Sequence, residues 1–357
     1  MELYRDTYVK INLKNIKENV SKIIKEYDNY KYYIGVVKAD CYGHNDLSVV
    51  KAIIDGGCNY LAVAMLEEAL EIREKFSDIP ILCLGNVPIE YLKVCIKNNI
   101  TITINSLEYA KELIESNHHK VKVHIKINSG MNRLGVLNKE EFNEIYNLLS
   151  ENNIFIEGIY THIYNASCVS DTVNQFSKYQ MIISDIDKKQ VPIFHVAASE
   201  TLTMYSKLDF INGCRLGIIM YGFTDNKELE LNSTFSLHSK IIQINELKPG
   251  DKLGYNGKYI AKNNEKIGVA CIGYADGIIR KNTGRFVYIN NKEYLIIGNI
   301  CMDMLFVKID DSVKINDEVV ILKDINHIEQ VAKHLDTIPY EVMCSISKRV
   351  PRIMVDE

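Results

Sequence analysis

The chain has 357 residues, 47% hydrophobic and 25% charged, with a net charge of −4. That length fits one barrel-sized domain plus a smaller one, or two ordinary domains, and the composition supports a large core rather than disorder. With that charge and no polybasic cluster, nothing marks a nucleic-acid face.

Nine scattered cysteines, without CxxC or Cys/His spacing, predict reduced thiols in a cytoplasmic protein and no metal site. The opening MELYRDTYVKINLKNI lacks the basic head and apolar core of a signal peptide. No apolar run approaches the roughly 18 residues of a membrane helix, so no membrane segment is expected.

From residue 8 to about 215, short β-rich runs alternate with amphipathic helical stretches. In chain order the strand candidates are YVKINL, YYIGVVK, YLAVAM, IPILCLG, ITITIN, VKVHIKIN, FIEGIYTHI, PIFHVAA and INGCRLGI. Between them lie stretches such as DLSVVKAIIDGG and LEEALEIREKF, apolar at about 3.6-residue spacing. Alternation of this kind means βαβ units and a parallel sheet, and about eight units fit a closed (β/α)8 barrel of TIM type. A doubly wound open sheet is the alternative, but no Gly-rich dinucleotide fingerprint follows the first strand.

After about residue 235 the texture changes to short strands separated by KPGD, NNKE and INDE turns, which predicts a separate mostly-β domain. The fold class is therefore α/β, with an N-terminal barrel over 1–234 and a C-terminal β domain over 235–357. The N-terminal strand 5–13 is a candidate to join the second domain.

Catalytic groups of a parallel barrel sit at the C-terminal ends of its strands. In YYIGVVKADCYGHN, Lys38 follows such a strand, and Tyr42 and His44 bring further hydrogen-bonding groups to the same rim. A lysine there is ordinarily a solvated flank. In a partly desolvated mouth near other cations, its amine can instead react with an aldehyde. Other strand ends offer Lys126 and Arg133, His162, His195 and Ser199, then Arg215 with the backbone of Gly217 and Ile218. Each is weak alone, since a lone strand histidine is usually a core residue. Together they suggest a phosphate-bearing aldehyde cofactor, pyridoxal 5′-phosphate.

The motifs then resemble a family. VVKADCYGHN is similar to the cofactor-lysine motif of the alanine racemases, and LGYNGKY (253–259), IGYADG (272–277) and GNICMDM (298–304) resemble three C-terminal signatures of that family. RDTYVKINL (5–13) resembles its opening strand, and the likeness runs in order from about residue 5 to 352. The resemblance implies a pyridoxal-phosphate enzyme of fold type III, racemising a small amino acid such as alanine to supply D-alanine for peptidoglycan. It implies that Lys38 carries the cofactor and acts as one acid/base. Tyr255 would be the opposite one, delivered by a second subunit of a homodimer with a shared active site. Arg215 would face the pyridine nitrogen, while Tyr42, Ser199, Gly217 and Ile218 would hold the phosphate. Arg133 and the backbone of Met302 would orient the substrate carboxylate. His162, beside the cofactor, would support Tyr255, and Lys126 matches a lysine carbamylated in many members. Tyr274, Cys301 and Asp303 are supporting residues, with Cys301 lining or packing rather than attacking.

Three positions depart from the family pattern. Ala198 stands where asparagine is usual, Asn128 where aspartate is usual, and Lys348 where a tyrosine precedes Arg-Val. A cationic side chain in place of an aromatic ring alters pocket size and charge, which opens serine or broad specificity as the alternative, as in serine racemase domains of vancomycin-resistance proteins. A decarboxylase of basic amino acids shares the architecture but uses Glu opposite the pyridine nitrogen. Single-domain proteins that only handle the cofactor lack the second domain.

Overall fold

The alternating strands and helices close into a barrel. The computed structural model describes residues 4–356. One compact unit comprises Lys17–Cys41 and Val50–Leu231; the other is formed by the first segment through Ile16, Tyr42–Val49 and the segment from Asn232.

Strand β1 is Tyr8–Asn12. The barrel strands are β2 (Tyr32–Val36), β3 (Tyr60–Val63), β4 (Ile81–Cys83), β5 (Ile100–Ile104), β6 (Lys122–Lys126), β7 (Phe155–Tyr160), β8 (Ile193–His195) and β9 (Gly213–Leu216). All neighbours pair in parallel, and β9 returns to β2 with Tyr32 opposite Gly213. Central runs such as YLAV and ITITI are buried throughout, as strands covered on both faces must be. The surrounding helices carry their own start signals: Ser106 and Asn138 accept the backbone N–H of Tyr109 and Glu141 at two N-caps.

Strand β1 is no part of this barrel. Its burial alternates residue by residue, the pattern of a sheet with one covered face. It pairs antiparallel with β10 (Phe235–Leu247) and parallel with β18 (Arg352–Val355). The intervening strands are β11 (Lys252–Leu253), β12 (Tyr259–Ile260), β13 (Glu265–Ala270), β14 (Phe286–Ile289), β15 (Lys292–Ile297), β16 (Leu305–Ile309) and β17 (Glu318–Leu322). The long β10 is bulged between Ile241 and Gln243, so one part pairs with β17 and β1 and the other with β13, closing the sheet on itself.

Several predicted strands overshoot, among them PIFHVAA, whose strand β8 ends at His195, and the run that forms β7. FIEGIYTHI was expected to run to Ile163, but β7 ends at Tyr160. The next carbonyls leave the ladder because side chains claim them: Arg215 bonds the Thr161 carbonyl and Gln175 bonds that of His162.

Candidate active site

Lys38 opens a six-residue turn, Lys38–Gly43, directly after β2. Ala39, Asp40, Cys41 and Tyr42 all have φ between 52° and 57°, so the turn is left-handed. Such a turn costs about 1–2 kcal/mol per residue with a side chain, which the surroundings must offset. Glu68 is one compensation. Its carboxylate accepts the Ala39 N–H at 2.6 Å and those of Ala64 and Met65 at 2.8 and 3.1 Å, tying the start of the turn to the end of β3. The turn ends at Gly43 (φ 85°), where a Cβ would lie 2.4 Å from the Met343 carbonyl oxygen. No side chain fits there.

The strand ends of the barrel gather cations. Lys126 ends β6 with only 5% of its surface exposed, and its amine is pulled down to about 8 by burial, then by Arg133, Arg215 and Lys38. Among the described residues no carboxylate pairs with it. His162, two residues beyond β7, is pulled down to about 3 by burial and by the same cations. Arg215 on β9 is buried, which lowers its guanidinium to about 10 and still leaves it charged at neutral pH.

Arg215 is held by almost everything around it. One terminal nitrogen donates to His195 Nδ1 (2.8 Å) and to the His195 carbonyl (3.0 Å). The other donates to the carbonyls of Thr161 (2.8 Å) and Val196 (3.0 Å) and approaches His162 Nδ1 at 3.2 Å. Only its Nε–H lacks a protein acceptor among the described residues, so one donor is left for a ligand.

Beyond β8 and β9, the Ser199 hydroxyl accepts the N–H groups of Gly217 (3.3 Å) and Ile219 (3.4 Å). Ile218 opens a 3₁₀ turn, so its N–H has no acceptor within that turn. A hydroxyl beside such N–H groups suits an anion.

In the β unit the three signature motifs converge. Asn299 donates to the Tyr255 carbonyl at 2.9 Å, and the carbonyls of Cys301 and Met302 accept the N–H groups of Tyr274 and Ala275, each at 3.0 Å. Gly273 is required at this crossing, since a Cβ would sit 2.4 Å from both carbonyl oxygens. The N–H of Met302 has no protein acceptor among the described residues. Asp276 is wholly buried and binds Arg5 and Arg349, each at 2.7 Å, while Arg349 also reaches Asp303. Tyr255, on the turn between β11 and β12, is 69% exposed. Lys348 is also exposed.

Tyr42 is buried with its ring 5.8 Å from that of Tyr340. His44 is not a rim group: it is wholly buried, bonded to Thr234 at 3.0 Å and packed on Phe235. Sequence reasoning missed Glu68, which has no serine or threonine cap before it to announce a capping box. It also missed His124 and Glu157, although a carboxylate inside the apolar run FIEGIY was a visible signal.

The buried histidines set an acid limit. Burial also lowers His195 and His124, so each folded imidazole refuses a proton that its unfolded counterpart takes up near 6.5. Their contribution is present above that pH and is lost as pH falls below it. Burial pushes Glu157 up, but the His124 imidazole 3.4 Å away and hydrogen bonds from Tyr60 and Thr101 outweigh it and hold the carboxyl at about 2, so its contribution is lost between about 4.5 and 2. The urea midpoint should therefore drop steadily from pH 7 to pH 4. A flat midpoint over that range would contradict the assignment.

The fold and these groups define a TIM-barrel protein whose strand ends hold a buried cationic cluster, joined in one chain to an antiparallel β domain. Residues 11–225 match the model of the alanine racemase N-terminal domain, and residues 234–354 match that of the C-terminal domain. The chain is 34% identical to alanine racemase 1 of Bacillus subtilis, covering 99% of this chain and 94% of that one. It superposes on alanine racemase from Clostridium difficile with a TM-score of 0.91 at 36% identity, covering 100% and 98% of the two chains. Alanine racemase from Bacillus anthracis, solved with bound L-Ala-P, superposes with a TM-score of 0.92 at 31% identity, covering 99% and 96%. The chain belongs to the alanine racemase family.

Proposed function

We propose that this chain is an isomerase that interconverts L- and D-alanine with pyridoxal 5′-phosphate, supplying D-alanine for peptidoglycan. The observation that carries the reading is Arg215: a buried guanidinium, fixed by five contacts, with one donor left over. A carboxylate there would serve a decarboxylase, because it would stabilise a protonated pyridine nitrogen. An arginine only donates and leaves that nitrogen unprotonated.

The residues fit the cofactor. The cations of the barrel call for an anionic ligand, and Ser199 with the Gly217 and Ile218 backbone offers hydrogen-bonding groups to a phosphate. Tyr42 is assigned to that phosphate and Lys38 to the aldehyde. When bound, pyridoxal phosphate withdraws electrons from the substrate and acidifies its Cα–H. Lys38 takes or returns that proton on one face, and Tyr255 of the partner subunit does so on the other. His162 supports that tyrosine, and Arg133 with the Met302 N–H orients the substrate carboxylate. The Lys126 amine at about 8, with no carboxylate paired to it, supports carbamylation, which would supply the missing negative charge. Tyr274, Cys301 and Asp303 support the loop around Met302.

The shared site predicts a homodimer. Among the described residues no helix is long and apolar enough to cross a membrane, and a cytoplasmic location is proposed with the peptidoglycan role. Serine is the second reading, favoured by exposed Lys348 and by Ala198 where the family pattern has tyrosine and asparagine. Comparing kcat/KM for L-alanine and L-serine tests the choice. A strong preference for alanine supports the proposal; equal or better serine turnover moves it to a serine or broad-specificity racemase.

A further inference from the structure

Glu157 is a charge inside the barrel that the proposed chemistry does not use. It lies on β7, yet its carboxylate accepts the hydroxyls of Tyr60 on β3 (2.7 Å) and Thr101 on β5 (2.9 Å). Strands that are not neighbours can share such a group only through the barrel interior. Two local features place it there. The β6–β7 register slips so that Val123 faces Ile156 and His124 faces Gly158, leaving Glu157 in a bulge. Gly158 then makes room for the His124 ring, since a Cβ at that residue would lie 2.5 Å from the imidazole.

A line of contacts runs from this carboxylate to Arg215, and its direction can be derived. Arginine donates and never accepts. The 2.8 Å contact from Arg215 therefore makes His195 Nδ1 an acceptor and puts the His195 proton on Nε2. That nitrogen is 2.9 Å from His124 Nδ1, which must accept, so the His124 proton is also on Nε2. His124 Nε2 lies 3.4 Å from Glu157 Oε2. That approach is close enough for attraction, although it is not aligned as a hydrogen bond. The line so far has one direction, set from Arg215, and two neutral rings.

We propose that Glu157 and His124 are positioning residues for Arg215, with the Glu157 carboxylate drawing the His124 proton to Nε2 and the two imidazoles fixing the orientation of the guanidinium. Without the carboxylate, Arg215 alone is left to set the two tautomers, and nothing at the far end opposes a flip of the His124 ring that would carry His195 with it. A His195 ring protonated on Nδ1 would set two donors 2.8 Å apart, and the guanidinium would have to turn, taking its Nε–H with it. Tyr160 braces the line, stacked on His195 at 4.6 Å and lying 5.5 Å from the Arg215 guanidinium. The role of Arg215 towards the cofactor rests on the proposed function; the relay of protons does not.

The test is 15N NMR of the histidine rings in the whole protein, with and without pyridoxal phosphate, for wild type and Glu157→Gln. His124→Asn and His195→Asn variants assign the signals. The wild type should show His124 and His195 neutral, each protonated on Nε2 alone. Glutamine keeps the shape but can donate or accept, so the variant should shift the His195 signals. It should also lower kcat by about tenfold or more with KM nearly unchanged, the usual scale for a partner behind a ligand-binding group. Either ring protonated on Nδ1 or doubly protonated in the wild type would overturn the proposal, even if the variant does not fold. So would a Gln variant with unaltered His195 signals, whatever its rate. A wild-type protein that binds the cofactor but racemises nothing would sink the functional reading and leave the ring assignment to stand or fall alone.

Discussion

Lys38→Ala abolishes racemisation, by roughly 10⁵-fold or more, and removes the absorbance of lysine-bound pyridoxal phosphate. The size follows from two losses at one position. The alanine cannot hold the cofactor covalently, and it cannot move a proton at Cα; loss of a covalent catalytic group of this kind costs on that order. The fold supports so large an effect because Lys38 is placed with care. It opens the left-handed turn that follows β2, and Glu68 fixes the next backbone N–H at 2.6 Å. A variant that keeps its secondary structure, binds pyridoxal phosphate noncovalently and racemises at the wild-type rate would remove Lys38 from the mechanism. Partial rescue by added methylamine would show that an amine at this place, rather than the lysine as a packing group, is what the reaction needs.

Tyr255→Phe should keep the absorbance and lose activity by roughly 10²–10⁴-fold, the scale of a missing general acid/base. The ring survives, so a packing role predicts almost nothing. Enantiomers have equal free energies in water, so the loss in kcat/KM must be equal in both directions. The asymmetry appears in exchange instead. Lys38 remains on one face, and the enantiomer whose Cα–H points to it should still exchange that proton with solvent, while the other does not. Tyr255 is 69% exposed at the tip of a short hairpin, with Asn256 behind it at φ 60°. A large aromatic held there by the bond from Asn299 to its carbonyl suits delivery to a second subunit. A fully active monomer would contradict that assignment, as would equal exchange of both enantiomers in the Phe variant.

Much of this was legible in residue patterns. Runs such as YLAV and ITITI, apolar or small at successive positions, announce strands covered on both faces, and eight of them between amphipathic helices close a barrel. YVKIN alternates instead, as suits a strand with one covered face, and the structure places it beside β10 and β18. The groups after the strand ends, Lys38, Lys126, His162, Ser199 and Arg215, could be picked out because βα order alone carries them to one end of the barrel. What stayed hidden depends on backbone geometry or on distant partners. Nothing in ADCY, four residues with side chains, announces a left-handed turn. His44 looked like a rim group because it follows Tyr42, yet its turn carries it to Thr234, 190 residues away in sequence. Glu157 and His124 meet only through a bulge and a glycine, neither of which has a periodic signature.

The most direct measurement is proton NMR of L-alanine in D2O with the purified protein and pyridoxal phosphate. D-alanine should appear with deuterium at Cα, and mixtures started from either enantiomer should converge on equal amounts of the two. If the protein binds the cofactor but leaves L-alanine optically pure, or converts it to an amine with release of carbon dioxide, the racemase account is wrong.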